Sequence, residues 1–145
     1  MALPAGPDFL TTCLAAMSRG ACLPLDAGLR AAEFESAIAT LRPDLVVRDT
    51  VASAAGLTMP APEPESVALV IRTSGTTGAG KNVPLTHANL CASAGHIRDA
   101  MHMSVADRLL SPAPLHHIAG CAGSRLPFGW RMHIHRAGAT RGRVV

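Results

Sequence analysis

Between Arg72 and His87 the chain reads RTSGTTGAGKNVPLTH, and this is the stretch whose residue types are best suited to chemistry. Gly75, Gly78 and Gly80 permit backbone with positive φ, so that successive N–H groups can converge on one anion. Thr73, Ser74, Thr76 and Thr77 add hydroxyl donors, and Lys81 adds a compact positive charge. Lys81 is the only lysine in a chain that otherwise uses arginine. Donors, glycines and one cation in so short a segment describe a cradle for phosphate.

Gly75, Gly80 and Lys81 also satisfy the G-x-x-x-x-G-K part of the nucleotide-hydrolase P-loop. That motif requires Ser or Thr after the Lys to hold magnesium, and here Asn82 follows. It also requires a helix from the Lys onward, where Pro84 would soon interrupt. A P-loop hydrolase is therefore the weaker alternative, as is a flexible linker, because the segment is framed by an apolar run and a capped helix pattern. His116, His117, His133 and His135 with Cys121 have the residue types of a metal site. Their spacings of one and two residues do not follow the usual ligand patterns, so no metal site is expected and the histidines read as surface or pocket-lining groups.

The elements that must position the loop follow from periodicity. Pro7 and Asp8 start a helix with Phe9, Cys13, Ala16 and Met17 on one side and Gly20 as its stop. Ala21 to Leu25 reads as a short buried strand. A second helix from about Arg30 to Leu41 aligns Phe34, Ile38 and Leu41 and ends before Pro43. Leu45 to Val47 reads as a strand, and the Pro- and acid-rich segment from Gly56 to Ser66 as an exposed connection. Val67 to Ile71 is the clearest buried strand. Beyond the loop, Thr86 caps a helix whose inward face is Leu90, Ala94, Ile97 and Met101. Leu109 and Leu110 begin a further strand. The alternation predicts an α/β fold, a partial parallel sheet with flanking helices.

With those residues in place, the chain resembles the adenylate-forming superfamily of acyl-CoA synthetases, fatty-acyl-AMP ligases, nonribosomal-peptide adenylation domains and luciferases. The resemblance rests on TSGTTGxxK followed by VPLTHxNL. It extends upstream to RGACLPLD and LRAAEFESAIATLRPDLVV, and downstream to DRLLSPAPLHHIAG. It covers about residues 7 to 123 and implies part of the large N-terminal domain of such a ligase. It further implies that Thr73, Ser74, Gly75, Thr76, Thr77, Gly78 and Lys81 enclose the β- and γ-phosphates of ATP. His117 matches the histidine of the family's PLFH motif, beside the acyl pocket and the phosphates. Two positions depart from the pattern: Gly80 replaces the usual Pro before the lysine, and His116 replaces the usual aromatic before His117. The implied reaction joins ATP and a small carboxylate into an acyl-adenylate, with Mg2+, and then transfers the acyl group to coenzyme A or another thiol. The family's later adenine, ribose and catalytic-lysine motifs do not occur in the sequence, so a non-catalytic phosphate-binding fragment or an inactive truncated product stands as the alternative function.

Composition bounds the rest. The 145 residues are 48% apolar and 16% charged, which suits one packed domain with an aliphatic core. Residues 1–123 hold eight Lys plus Arg against ten Asp plus Glu, a net −2, whereas residues 124–145 hold five Arg and no acid. The basic character therefore belongs to the end of the chain, and a nucleic-acid partner is not expected. That tail departs from the family's Leu-rich continuation. It is expected to lie outside the core, largely disordered, as an out-of-frame or truncated end. No apolar run has the length of a membrane span, and four scattered cysteines without a secretory leader point to a cytoplasmic protein with reduced thiols. No feature of the sequence sets an oligomeric state.

Overall fold

A computed structural model of the chain describes residues 1–49, 61–73, 81–104, 107–111, 113–118 and 131–134. The first helix, α1 (Pro7–Met17), begins with Pro at a position whose N–H would have no intrahelical partner, and it buries Phe9, Cys13 and Met17 at four-residue spacing. The second, α2 (Ala31–Leu41), buries Phe34 and Ala37. The Glu33 carboxylate reaches back to the Arg30 backbone N–H at 3.4 Å and to its guanidinium at 3.1 Å, which fixes the first turn. Arg42 ends α2 in the left-handed region at φ 43°, with its N–H donating to Ile38 O, and Pro43 bars continuation.

Strands β1 (Val67–Arg72) and β2 (Asn82–Thr86) pair antiparallel, from Val67 opposite Thr86 to Arg72 opposite Asn82. Helix α3 (His87–Ala100) follows β2 directly. Thr86 caps it by accepting from the Asn89 N–H at 3.1 Å, and the Asn89 side chain accepts in return from the Thr86 N–H at 3.1 Å. Leu90 and Ala94 face inward as expected. Ile97 is half-buried, and Met101 lies past the helix end and 60% exposed, so the inward face is shorter than its spacing suggests. Strand β3 (Arg108–Ser111) pairs parallel with β4 (Arg131–Ile134).

The α/β character holds, but β1 and β2 pair antiparallel where a parallel sheet was expected, because they follow one another directly around the Gly-rich segment; parallel pairing among the described residues is confined to β3–β4 and one bridge between Cys22 and Leu69. Two local expectations need correction. Ala21 to Leu25 is not a strand: only Cys22 bridges to β1, donating to Ala68 O and accepting from the Val70 N–H, both at 2.9 Å. The rest of that segment holds the first residues, with Leu25 N–H donating to Met1 O at 2.8 Å and the Met1 ammonium to Leu23 O at 2.8 Å. Leu45 to Val47 is not a strand either. Its single ladder-type bond, Ala2 N–H to Val47 O at 2.9 Å, leaves Leu45 75% exposed. Within the tail expected to be largely disordered, Arg131–Ile134 pairs as β4, and the rest of residues 124–145 lies outside the described residues.

One core cluster joins α1 to β1 and α3 through Phe9, Cys13, Met17, Cys22, Leu69 and Leu90, and Leu115 inserts from the turn after β3. A second, smaller cluster packs Phe34 and Ala37 on Ala2 and Leu25. Phe9, Leu69 and Leu115 are almost completely buried, and each such side chain contributes about 1.5–3 kcal/mol by leaving water.

Candidate phosphate-binding site

The Gly-rich segment is the loop of a β-hairpin. Arg72 and Asn82 form the last ladder pair of its stem, and the Thr73 N–H donates to Lys81 O at 2.8 Å. The Thr73 hydroxyl donates to the same carbonyl at 3.3 Å, so Thr73 closes the neck of the loop. Lys81, on the other side of that neck, is exposed. Ser74, Gly75, Thr76, Thr77 and Gly78 lie outside the described residues. The Asn82 Oδ1 is buried beside the neck with no hydrogen-bond partner among the described residues.

His117 stands on a separate turn. Its N–H donates to Pro114 O at 3.0 Å, and the buried Leu115 anchors the turn in the main core. The His117 side chain is exposed and packs against the His116 ring, with centroids 4.5 Å apart and planes tilted by 43°. His116 is half-buried, with Nε2 3.9 Å from Asp26 Oδ2. Burial holds its pKa below the usual imidazole value; the Asp26 carboxylate pulls the other way and is outweighed. Asp26 Oδ1 accepts from the Gly28 N–H at 2.9 Å, so the PLD segment is itself a tight turn. Thus Thr73 and Lys81 are brought together, whereas no hydrogen bond or ion pair among the described residues ties His117 to either.

Sequence reasoning missed two groups near these elements. One is Asp26, whose contact with His116 spans ninety positions of sequence. The other is His87, read only as part of the VPLTH stretch. It is the one buried polar side chain among the described residues, with Nε2 3.1 Å from Met17 O. A depression of about 470 Å³ bordered by Asp26, Phe34, Arg48 and Asp49 lies on the second cluster, with the Arg48 guanidinium 4.4 Å above the Phe34 ring. It contains none of the loop residues.

The family model described as AMP-binding enzyme matches residues 49–140, and the chain belongs to that family. The match continues past Gly123, where the resemblance read from motifs ends. A sulfoacetate–CoA ligase of Cupriavidus necator is 44% identical over 62 residues, 43% of this chain and 12% of the relative. Among solved structures, ATP-bound MatB from Rhodopseudomonas palustris superposes with a TM-score of 0.78 at 22% identity, over 92% of this chain and 34% of that one. The N-terminal domain of FACL13 from Mycobacterium tuberculosis, in an inhibitor-bound structure, gives a TM-score of 0.81 at 20% identity, over 93% of this chain and 43% of that one. These likenesses show that the chain shares its fold with part of MatB and of the N-terminal domain of FACL13. The chain spans about an eighth of that curated relative's length and less than half of either solved chain.

Proposed function

We propose that this chain holds the polyphosphate of ATP during activation of a carboxylic acid as an acyl-adenylate, the first half-reaction of an acyl-CoA synthetase-like ligase. The observation that carries the reading is the hairpin neck: β1 and β2 bring Thr73 and the exposed cation Lys81 to the two ends of a loop rich in glycine and hydroxyl donors. In the reaction a carboxylate oxygen attacks the α-phosphorus, the bond from that phosphorus to the bridging β-oxygen breaks, and pyrophosphate leaves. Lys81 and the donors of residues 73–78 are suited to hold the β- and γ-phosphates in line and to stabilise the charge that develops on the leaving group. Mg2+ would neutralise part of the same charge. Mg2+ is commonly carried on substrate phosphates with few protein ligands, and such a binding mode is proposed here.

His117 is assigned to the acyl side of the site, on the strength of its exposed ring and its match to the family's PLFH histidine. Transfer to coenzyme A or another thiol completes the proposed reaction. The setting proposed is the cytoplasm: Cys13, Cys22 and Cys91 form no disulfide, and no described helix is long and apolar enough to cross a membrane. Residues 1–123 are proposed as the adenylation-domain part, with the basic segment 124–145 as a distinct end, on the change of net charge at Gly123. The test is pyrophosphate release from ATP across a panel of small carboxylates. Release that requires one class of carboxylate supports the ligase reading. Pyrophosphate binding without release under any carboxylate would make the chain a non-catalytic phosphate binder.

A further inference from the structure

We propose that His87 is a positioning residue for the phosphate loop, acting through a hydrogen bond from its Nε2–H to the Met17 carbonyl at the C-terminus of α1. The inference rests on the reading of the hairpin loop as a phosphate site and adds a residue that holds the hairpin in place.

At the end of α1 the last four carbonyls are left over from the intrahelical ladder and need donors from beyond it. Leu14 O accepts from the Ser18 N–H at 3.1 Å, and Ala15 O from the Ser18 hydroxyl at 2.7 Å. Ala16 O accepts from the N–H groups of Arg19 and Gly20 at 3.0 and 2.9 Å. The fourth, Met17 O, meets His87 Nε2 at 3.1 Å, seventy residues away. A carbonyl oxygen can only accept, so Nε2 carries the proton, and the ring is bound in a state that presents that donor.

His87 sits where β2 ends and α3 begins, and its backbone is fixed as well. Its N–H donates to Ser66 O at 3.2 Å, and the next N–H, of Ala88, donates to Pro64 O at 2.8 Å. Three bonds therefore hold one junction: two to the turn that precedes β1 and one to the end of α1. From that junction β2 runs five residues back to the loop neck at Lys81, a rigid ladder of about 3.4 Å per residue. Cys22 fixes the opposite strand, β1, through its two bonds to Ala68 and Val70. The hairpin stem is thereby held on both strands against the segment that runs from α1 to Cys22. If the His87 bond is lost, β2 and the neck lose their side-chain anchor on α1 while the backbone ladder stays intact.

The test uses the 145-residue chain and inorganic pyrophosphate as the probe. Calorimetry is run at a temperature where circular dichroism shows every variant folded. His87→Leu removes the donor and is expected to weaken pyrophosphate binding about 3- to 10-fold, the equivalent of one net hydrogen bond. His87→Gln, whose amide N–H reaches the position of Nε2, is expected to stay within about 2-fold of the unaltered chain. Independently, nitrogen-15 spectra of the unaltered chain should show a protonated, slowly exchanging Nε2 on His87 with scalar coupling to the Met17 carbonyl. Equal binding by His87→Leu and the unaltered chain would overturn the inference, as would equal loss in the Leu and Gln variants or a His87 ring without that coupling. An unaltered chain that takes no pyrophosphate would instead bring down the phosphate-loop reading, and this inference with it.

Discussion

At the scale of single residues, burial separates the groups with a structural role from those available for chemistry. Cys22 shares a hydrogen bond with Cys13 and is buried with it, and both effects, the bond first, push its thiol far above its ordinary range. Such a thiol packs as a small apolar group and is not a nucleophile. His116 differs, because it is half-buried and burial favours its neutral form. Its folded pKa lies below the ordinary imidazole value, so the unfolded chain binds the proton more readily. Its contribution to stability is therefore present above about pH 6.5 and is lost as the pH falls through the depressed folded value. We expect the urea midpoint to drop on acidification from about pH 7.5 to 5, and to drop less in His116→Gln. Equal pH dependence in the two chains would show that His116 takes no part. No motif distinguished His116 from His117 in this respect. The distinction arises from Leu115, which draws the turn into the core and leaves His117 outside it.

At the scale of elements, what could be read from the sequence was what local chemistry dictates. Pro7 at a helix start, Phe9, Cys13 and Met17 at four-residue spacing, the unbroken apolar run of β1 and Thr86 before α3 all lie where the residue pattern puts them. The misread elements depended on partners far along the chain. Leu45 to Val47 has strand-forming residues, yet no strand among the described residues pairs with it in a ladder. Strand β2 was hidden by Pro84, which suggested only a break. Pro84 lies opposite Val70 in a two-stranded sheet, where an edge strand tolerates the missing N–H. The Met17–His87 and Asp26–His116 contacts carry no local signal at all. The Thr86 cap gives an element-scale prediction. Thr86→Ala should lower unfolding free energy by about 0.5–2 kcal/mol, measured by urea denaturation, through loss of the reciprocal bonds with Asn89. A change indistinguishable from zero would mean that the helix start is held by the backbone bonds of His87 and Ala88 alone.

At the scale of the whole molecule, the described strands form two separate two-stranded sheets, and Leu45, Val46, Val67 and Val83 are all more than a third exposed. Among the described residues these strand edges are unpaired apart from the Cys22 bridge to β1, and with the exposed aliphatic groups they make self-association the expected hazard in solution. The parallel pairing of β3 with β4 bears on the basic end of the chain, which composition alone assigned to disorder. Composition averages over residues 124–145, and the four residues Arg131–Ile134 pair nonetheless. Hydrogen exchange should accordingly show protected amides within 131–134. Exchange at the rate of an unstructured peptide throughout that stretch would return it to the disordered reading. The fold as a whole was legible because the loop motif and its framing strand and helix lie in continuous sequence; the tertiary anchors of the hairpin do not. The most direct measurement on the phosphate-loop reading is calorimetry of ATP and of pyrophosphate with the unaltered chain and with Lys81→Ala. A charge-assisted contact to phosphate predicts an affinity loss in the variant of about 1.5–3 kcal/mol for both ligands. Unchanged affinity in Lys81→Ala would place the bound phosphates elsewhere and remove the hairpin loop from the site.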